Sequence, residues 1–240
     1  MFENPGILLY NAGMKHFVVF DLDGTLLNTL PDIAAAMNRV LFRFGMPQHA
    51  MDSYKQFTGN GARMLTLRAL SGQEEMAHHV YPAYLNEYAR NSRVNTQPYP
   101  GMVEALKALV AQNIQLIVYS NKDNPEAKDV IRHYFPEIPF LAVLGSLPDV
   151  PLKPDPTALT ELLEEHELEP AQGIYLGDTV MDIQCAKAVG LYPVAALWGF
   201  QTREELASEE PALFLAAPAQ LPDVAKKHFS SIPQIPDNRE

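Results

Sequence analysis

The feature that most restricts the fold is a junction used three times, in which a short apolar run stops at a polar residue. His16-Phe-Val-Val-Phe20 reads as a buried strand and ends at Asp21. Ile114 to Tyr119 reads as a second strand followed by Ser120, and Ile174-Tyr-Leu176 as a third followed by Gly177-Asp178. Further strands are expected at Phe140 to Leu144 and Tyr192 to Leu197. The segments between them carry helix punctuation. Pro100-Gly101 opens a helix to about Ala111, Asn124-Pro125 and Asp155-Pro156 cap two more, and a helix from Val180 stops at Gly190. Strands alternating with helices of this length mean an α/β fold with βαβ units, a parallel sheet and right-handed crossovers. In open sheets of this kind ligands bind at the carboxyl ends of the strands, so Asp21, Ser120 and Asp178 become neighbours.

Nothing between Pro31 and Arg93 reads as a strand. Pro31 suits the first turn of a helix, and Ile33, Met37, Val40, Leu41 and Phe44 recur at helical spacing until Gly45. Helices are also expected at Ala62 to Leu70 and Glu74 to Arg90, so this block reads as a small helical domain inserted into the larger one. Acidic residues outnumber basic ones by 29 to 18, a balance that opposes a general nucleic-acid binder. The single cysteine, Cys185, excludes a disulfide framework and a thiolate zinc cluster, and reads as a small core residue. No apolar run suits a membrane helix or a signal peptide, which points to a cytoplasmic protein.

The strongest motif is Asp21-Leu-Asp23-Gly-Thr25. Residues two apart on an extended backbone project the same way, which pairs Asp21 with Asp23. Gly24 allows a sharp departure from the strand, and the Thr25 hydroxyl can fix the turn. Ser120, followed by Asn121-Lys122, offers a hydroxyl and backbone N–H groups to a phosphoryl oxygen; alone it reads as a cap. Lys153 precedes Pro154-Asp155-Pro156, and beside several carboxylates its ammonium would offset like-charge repulsion. Gly177-Asp178-Thr-Val-Met-Asp182 adds two carboxylates, and hard oxygen donors at this density suit Mg²⁺. Asp182 by itself reads as the acidic residue common in a first helical turn.

These motifs, in this order, resemble the haloacid dehalogenase-like (HAD) phosphohydrolase superfamily over about residues 14–225. The resemblance implies a doubly wound, Rossmann-like core with an inserted helical cap. The expected division is residues 14–28 and 96–225 for the core and 29–95 for the cap. Residues 1–13 would form an N-terminal extension, with Met14 an alternative start, and 226–240 a C-terminal tail frayed from Ser230. It further implies that Asp21 attacks phosphorus to give an aspartyl phosphate, while Asp23 protonates the leaving oxygen and later takes a proton from water. Mg²⁺ would be held by Asp21, the Asp23 backbone carbonyl and Asp178, with Asp182 in support. Asn28-Thr29 stands where many relatives carry Asp-Ser, in the segment leading to the cap.

The implied partner is a small phosphorylated metabolite. Thr58-Gly59-Asn60-Gly61-Ala62-Arg63 resembles the cap segment of phosphoglycolate phosphatases, as do Tyr99-Pro-Gly101, Ser120-Asn-Lys122 and Trp198-Gly-Phe200. The expectation is therefore 2-phosphoglycolate. Thr25, Gly59, Asn60, Gly61, Arg63, Ser120, Asn121 and Lys153 would bind it, and Arg68 would extend along the cap surface. Phosphatases of sugar phosphates, nucleotides or pyrophosphate stay open as relatives. So does a receiver-like switch, whose clustered Asp, Ser/Thr and Lys also surround Mg²⁺ but whose phosphorylated state persists.

Overall fold

Side chains alternate across a strand, and here each side meets its own layer of helices. The computed structural model describes residues 15–232. The expected N-terminal extension and residues 233–240 of the expected tail lie outside the described residues. The elements begin with β1 (Phe17–Phe20), β2 (Leu27–Asn28), α1 (Leu30–Arg43), α2 (Ser53–Phe57), α3 (Gly61–Leu70), α4 (Ala77–Asn91), β3 (Gln97–Pro98) and α5 (Met102–Ala111). There follow β4 (Gln115–Asp123), α6 (Asn124–Tyr134), β5 (Phe140–Ser146), α7 (Thr157–Glu165) and β6 (Gly173–Gly177). The last are α8 (Val180–Val189), β7 (Tyr192–Ala196), α9 (Arg203–Ala207), β8 (Leu213–Leu215) and α10 (Leu221–Ser231).

Six strands form one parallel sheet in the order β5-β4-β1-β6-β7-β8. Val18, Phe20, Leu116 and Leu176 face one layer, packing with Leu106 of α5, Val130 of α6 and Phe229 of α10. Phe17, Val19, Ile117 and Tyr175 face the other, against Leu159 and Leu163 of α7 and Cys185 of α8. Each such fully buried side chain contributes about 1.5–3 kcal/mol. The expected doubly wound sheet is thus present, and Cys185 is a core residue. The chain leaves central β1 toward β4 and β5, then crosses back to β6, β7 and β8, so the carboxyl ends of β1, β4 and β6 border the crevice where strand order reverses. Among the described residues, no helix is long and apolar enough to cross a membrane.

Helices α1 to α4 gather around their own cluster, with Met37, Leu41, Tyr54, Leu65 and Tyr84 among its members. The two chain passages into this insertion pair antiparallel through β2 and β3, with Leu27 opposite Pro98 and Asn28 opposite Gln97. Asp32, in the first turn of α1, accepts N–H bonds of 2.8–3.0 Å from Val94, Asn95 and Thr96 on the returning chain. Burial works to raise its proton affinity, but these donors win and hold the carboxyl below its ordinary range. The insertion is therefore clamped at its root.

Three boundaries differ from expectation. β4 continues to Asp123 because β5 keeps pairing with it after β1 has ended, so Ser120 lies within the strand rather than just after it. α10 runs to Ser231 and buries Ala225 and Phe229, which carries ordered structure past the tail boundary expected at residue 226. The expected Glu74–Arg90 helix is a 3₁₀ turn (Glu74–Met76) leading into α4, which accommodates Pro82.

Candidate active site

The strand ends bring together charges that no ordinary core would hold. Asp21 follows β1, Asp178 follows β6, and Asp182 lies in the first turn of α8; all are buried, as is Lys153 from the loop between β5 and α7. One oxygen from each of the three carboxylates lies within 4.8 Å of the others. Lys153 Nζ lies 2.8 Å from Asp21 Oδ1 and 2.6 Å from Asp182 Oδ1.

Each group is held by identifiable local structure. Thr179 and Asp182 form a capping box at the start of α8, so Asp182 Oδ2 accepts the Thr179 N–H (3.0 Å) and hydroxyl (2.7 Å). Its Oδ1 accepts Lys153 Nζ and the Tyr175 hydroxyl (3.1 Å). Four donors occupy the four acceptor directions of this carboxylate. Asp182 therefore orients Lys153 from beside Asp21 and Asp178, where it was expected to support a metal site. Asp178 accepts the Thr25 hydroxyl at 2.7 Å and the Phe200 N–H at 2.8 Å. A Cβ at Gly24, where φ is +89°, or at Gly199 would overlap Asp178, which is why small residues close around it.

Three buried acids against one ammonium leave an excess of negative charge. Burial, opposed by Lys153 and reinforced by Asp182 and Asp23, pushes the Asp21 carboxyl up to about 7. Burial, with Asp21 and Asp182 adding to it, pushes Asp178 well above the usual carboxylate range. Lys153 moves the other way: burial disfavours its charge, but Asp182 and Asp21 outweigh that and hold it protonated. A divalent cation would relieve the imbalance. Asp21 and Asp178 provide hard oxygen donors for it, so the residues fit a metal site.

A cavity of about 360 Å³ opens beside Asp21, between the strand ends and the inserted helices. Asp21, Asp23, Ser120, Asn121 and Lys153 line it from the core, as do Gly59 and Gly61 from the insertion. Three expected substrate-binding residues do not line it. Thr25 is fully buried and directs its hydroxyl to Asp178. Asn60 is turned toward Arg68 and Met181 by its own hydrogen bonds. Arg63 is solvent-exposed in α3. Asn121 reaches the cavity, but its amide joins Gly59 O (2.9 Å) to both backbone groups of Lys153, so it fastens two loops together. Arg68 does not simply extend along the surface, because its guanidinium caps the carbonyls of Gln56, Phe57 and Thr58.

Lys122 is the residue that sequence reasoning passed over. Its Nζ lies 3.1 and 3.2 Å from the two Asp23 carboxylate oxygens and 2.9 Å from the Tyr88 hydroxyl of α4. The signal was present: Lys122 follows directly on Ser120 and Asn121, which the sequence already placed at the site, and it lines the same cavity. Trp198 donates its indole N–H to Thr25 O at 3.0 Å and steadies the Asp21–Thr25 loop from behind.

The chain is similar to known proteins over most of its length. A phosphoglycolate phosphatase of Vibrio vulnificus is 31% identical over 215 residues, covering 86% of this chain and 94% of that one. Phosphoglycolate phosphatase 1 of Pseudomonas aeruginosa is 31% identical over 209 residues, covering 84% and 76%. A crystal structure of a predicted phosphoglycolate phosphatase from Haemophilus somnus superposes with a TM-score of 0.81 at 28% identity, over 89% of this chain and 99% of that one. The family model for haloacid dehalogenase-like hydrolases matches residues 18–196, a span that runs from β1 through β7 and contains every carboxylate of the buried cluster together with Lys153. By that match and by its strand-end chemistry, the chain belongs to the haloacid dehalogenase-like hydrolase family.

Proposed function

We propose that this protein is a Mg²⁺-dependent phosphomonoester hydrolase that works through an aspartyl phosphate on Asp21, with 2-phosphoglycolate as its substrate. The observation that carries the reading is Asp21 at the cavity wall, 2.8 Å from a buried lysine and two residues before a second carboxylate facing the same cavity. The phosphoglycolate phosphatases that are 31% identical over most of this chain support the substrate. In the proposed reaction one Asp21 oxygen forms a bond to phosphorus as the bond from phosphorus to the leaving oxygen breaks, and Asp23 delivers a proton to that oxygen. Lys153 lies against the negative charge of the transferring group, and the Ser120 hydroxyl donates to one of its oxygens. Asp23 then removes a proton from the water that attacks phosphorus, which restores the Asp21 carboxylate. Asp21 and Asp178 would hold Mg²⁺ through a carboxylate oxygen each, and when bound the ion supplies positive charge against the phosphoryl oxygens. We further propose that residues 29–95 act as a cap that closes over the reacting centre and excludes bulk water.

The test is kcat/KM with Mg²⁺ for 2-phosphoglycolate beside sugar phosphates, nucleotides and pyrophosphate. A clear preference for 2-phosphoglycolate, lost on exhaustive EDTA treatment and restored by Mg²⁺, is expected. A flat, slow profile would remove the substrate from the reading, and undiminished turnover after chelation would remove the metal.

A further inference from the structure

The structure assigns a second anion-binding role to Lys122: we propose that its ammonium receives a carboxylate carried by the leaving group of the substrate, taking it in place of Asp23. The inference rests on the phosphomonoesterase reading above and names the feature of the ester that the cavity selects. Two cationic side chains line the cavity, Lys122 and Lys153. Lys153 is committed to the phosphoryl end, between Asp21 and Asp182. Arg63 is exposed and does not line the cavity, and Arg68 is consumed by loop carbonyls. Asp23, Asp123 and Glu126 also border the cavity and repel a second negative group, while Ile33, Leu65 and Tyr84 give it an apolar wall. An anionic leaving group therefore has one counter-charge to meet.

Lys122 is placed for that meeting. Its side chain is only 6% exposed, so a bond from it to an anion forms largely out of water, where such bonds are strongest. It lines the same cavity as Ser120 and touches Asp23, itself two residues from Asp21. Phosphate and carboxylate groups separated by a short spacer would thus meet Lys153 and Lys122 together. Lys122 also bonds the Tyr88 hydroxyl, and its Nζ lies 4.5 Å from the Tyr88 ring centroid, so the inserted helices help to aim it. Exchange of Asp23 for the incoming carboxylate keeps the ammonium paired throughout and leaves the Asp23 side chain free to turn to the leaving oxygen.

The experiment measures binding of two unreactive probes by calorimetry, in Mg²⁺, to the full chain and to Lys122→Met, Lys122→Gln and Lys122→Arg. Phosphonoacetate carries the carboxylate; ethylphosphonate has a methyl group in its place. The unaltered protein is expected to favour phosphonoacetate by about 10- to 100-fold, the range of a desolvated charge-assisted bond. That preference should fall within about threefold in the Met and Gln variants and be largely kept by Arg. A preference that survives in the Met and Gln variants overturns the assignment, and so does its absence from the unaltered protein. Ethylphosphonate binding in each variant reports whether the phosphoryl end is intact. Turnover of 2-phosphoglycolate against ethyl phosphate is scored separately: a protein that binds phosphonoacetate through Lys122 but does not favour 2-phosphoglycolate loses the substrate reading and keeps the carboxylate site.

Discussion

Asp21→Asn should abolish turnover in Mg²⁺ and, with metal removed, spare the protein much of the stability that the parent loses between acid and alkaline pH. Asp21 is buried against other carboxylates, and its carboxyl is raised from 3.8 to about 7. A group whose folded-state proton affinity is raised contributes stability that is fully present below its unfolded value and lost as pH rises through the folded one. Integrated over that window, ionising Asp21 removes about 2.5 kcal/mol of stability between pH 5 and pH 8. Asparagine keeps an oxygen for Lys153 but cannot ionise, so the variant escapes this loss. Any change in packing or hydrogen bonding is common to both pH values and cancels in the comparison. Calorimetric melting in EDTA should therefore show the parent losing about 5–10 °C more than the variant between pH 5 and pH 8. Added Mg²⁺ should close most of that gap, because it holds the ionised carboxylate in place. Turnover should fall by at least about 10⁴-fold with the nucleophile gone. Parallel melting profiles for the two proteins, or near-normal turnover, would refute the reasoning.

Three further outcomes are expected. Asp23→Asn should lower kcat/KM by about 10²–10⁴-fold on alkyl phosphates but far less on p-nitrophenyl phosphate, whose leaving group needs no proton; equal losses contradict the acid role. Asp182→Ala removes one partner of a buried pair and should cost about 3–5 kcal/mol in denaturant titrations, with kcat reduced through the freed Lys153; a loss under 1 kcal/mol contradicts the saturated geometry. Gly24→Ala places a Cβ against the Asp178 carboxylate at a φ of +89°. It should therefore cost about 1–3 kcal/mol and weaken Mg²⁺ binding measured calorimetrically, while native-like values for both would show that the loop yields.

The sheet and the reacting cluster were legible because their signals are local. A run such as Phe17–Phe20 can hardly be anything but a buried strand, and the polar residue that ends it must then lie at the sheet edge. The same logic placed Asp178, and the capping signal of α8 accounts for Asp182. The binding side of the cavity was far less legible. Asn60 and Arg63 look suited to an anion in the chain, yet one bonds Met181 and Arg68 and the other is exposed to solvent, outcomes that depend on tertiary contacts the local sequence does not carry. α2 and β8 are too short to show a period. Asp32 looks like an ordinary first-turn acid, and only the return of the chain sixty residues later makes it the clamp at the root of the insertion.

The division of labour among the four carboxylates follows from how many donors each has already met. Asp182 is saturated, so its charge is spent on holding Lys153. Asp178 has two donors, and its carboxyl stays well above the usual range, a state that favours a cation on its remaining lone pairs. Asp21 has one ion-pair partner and an open side toward the cavity, as the attack proposed for it requires. Asp23 is tied to Lys122 across the cavity rim and is the one carboxylate that can exchange its partner when a substrate arrives. The same gradient, from fully paired to exchangeable, runs from the interior of the sheet toward the cavity. Stability is thus sacrificed where reactivity is needed, and Asp182, Thr179 and Tyr175 confine that sacrifice to the strand ends.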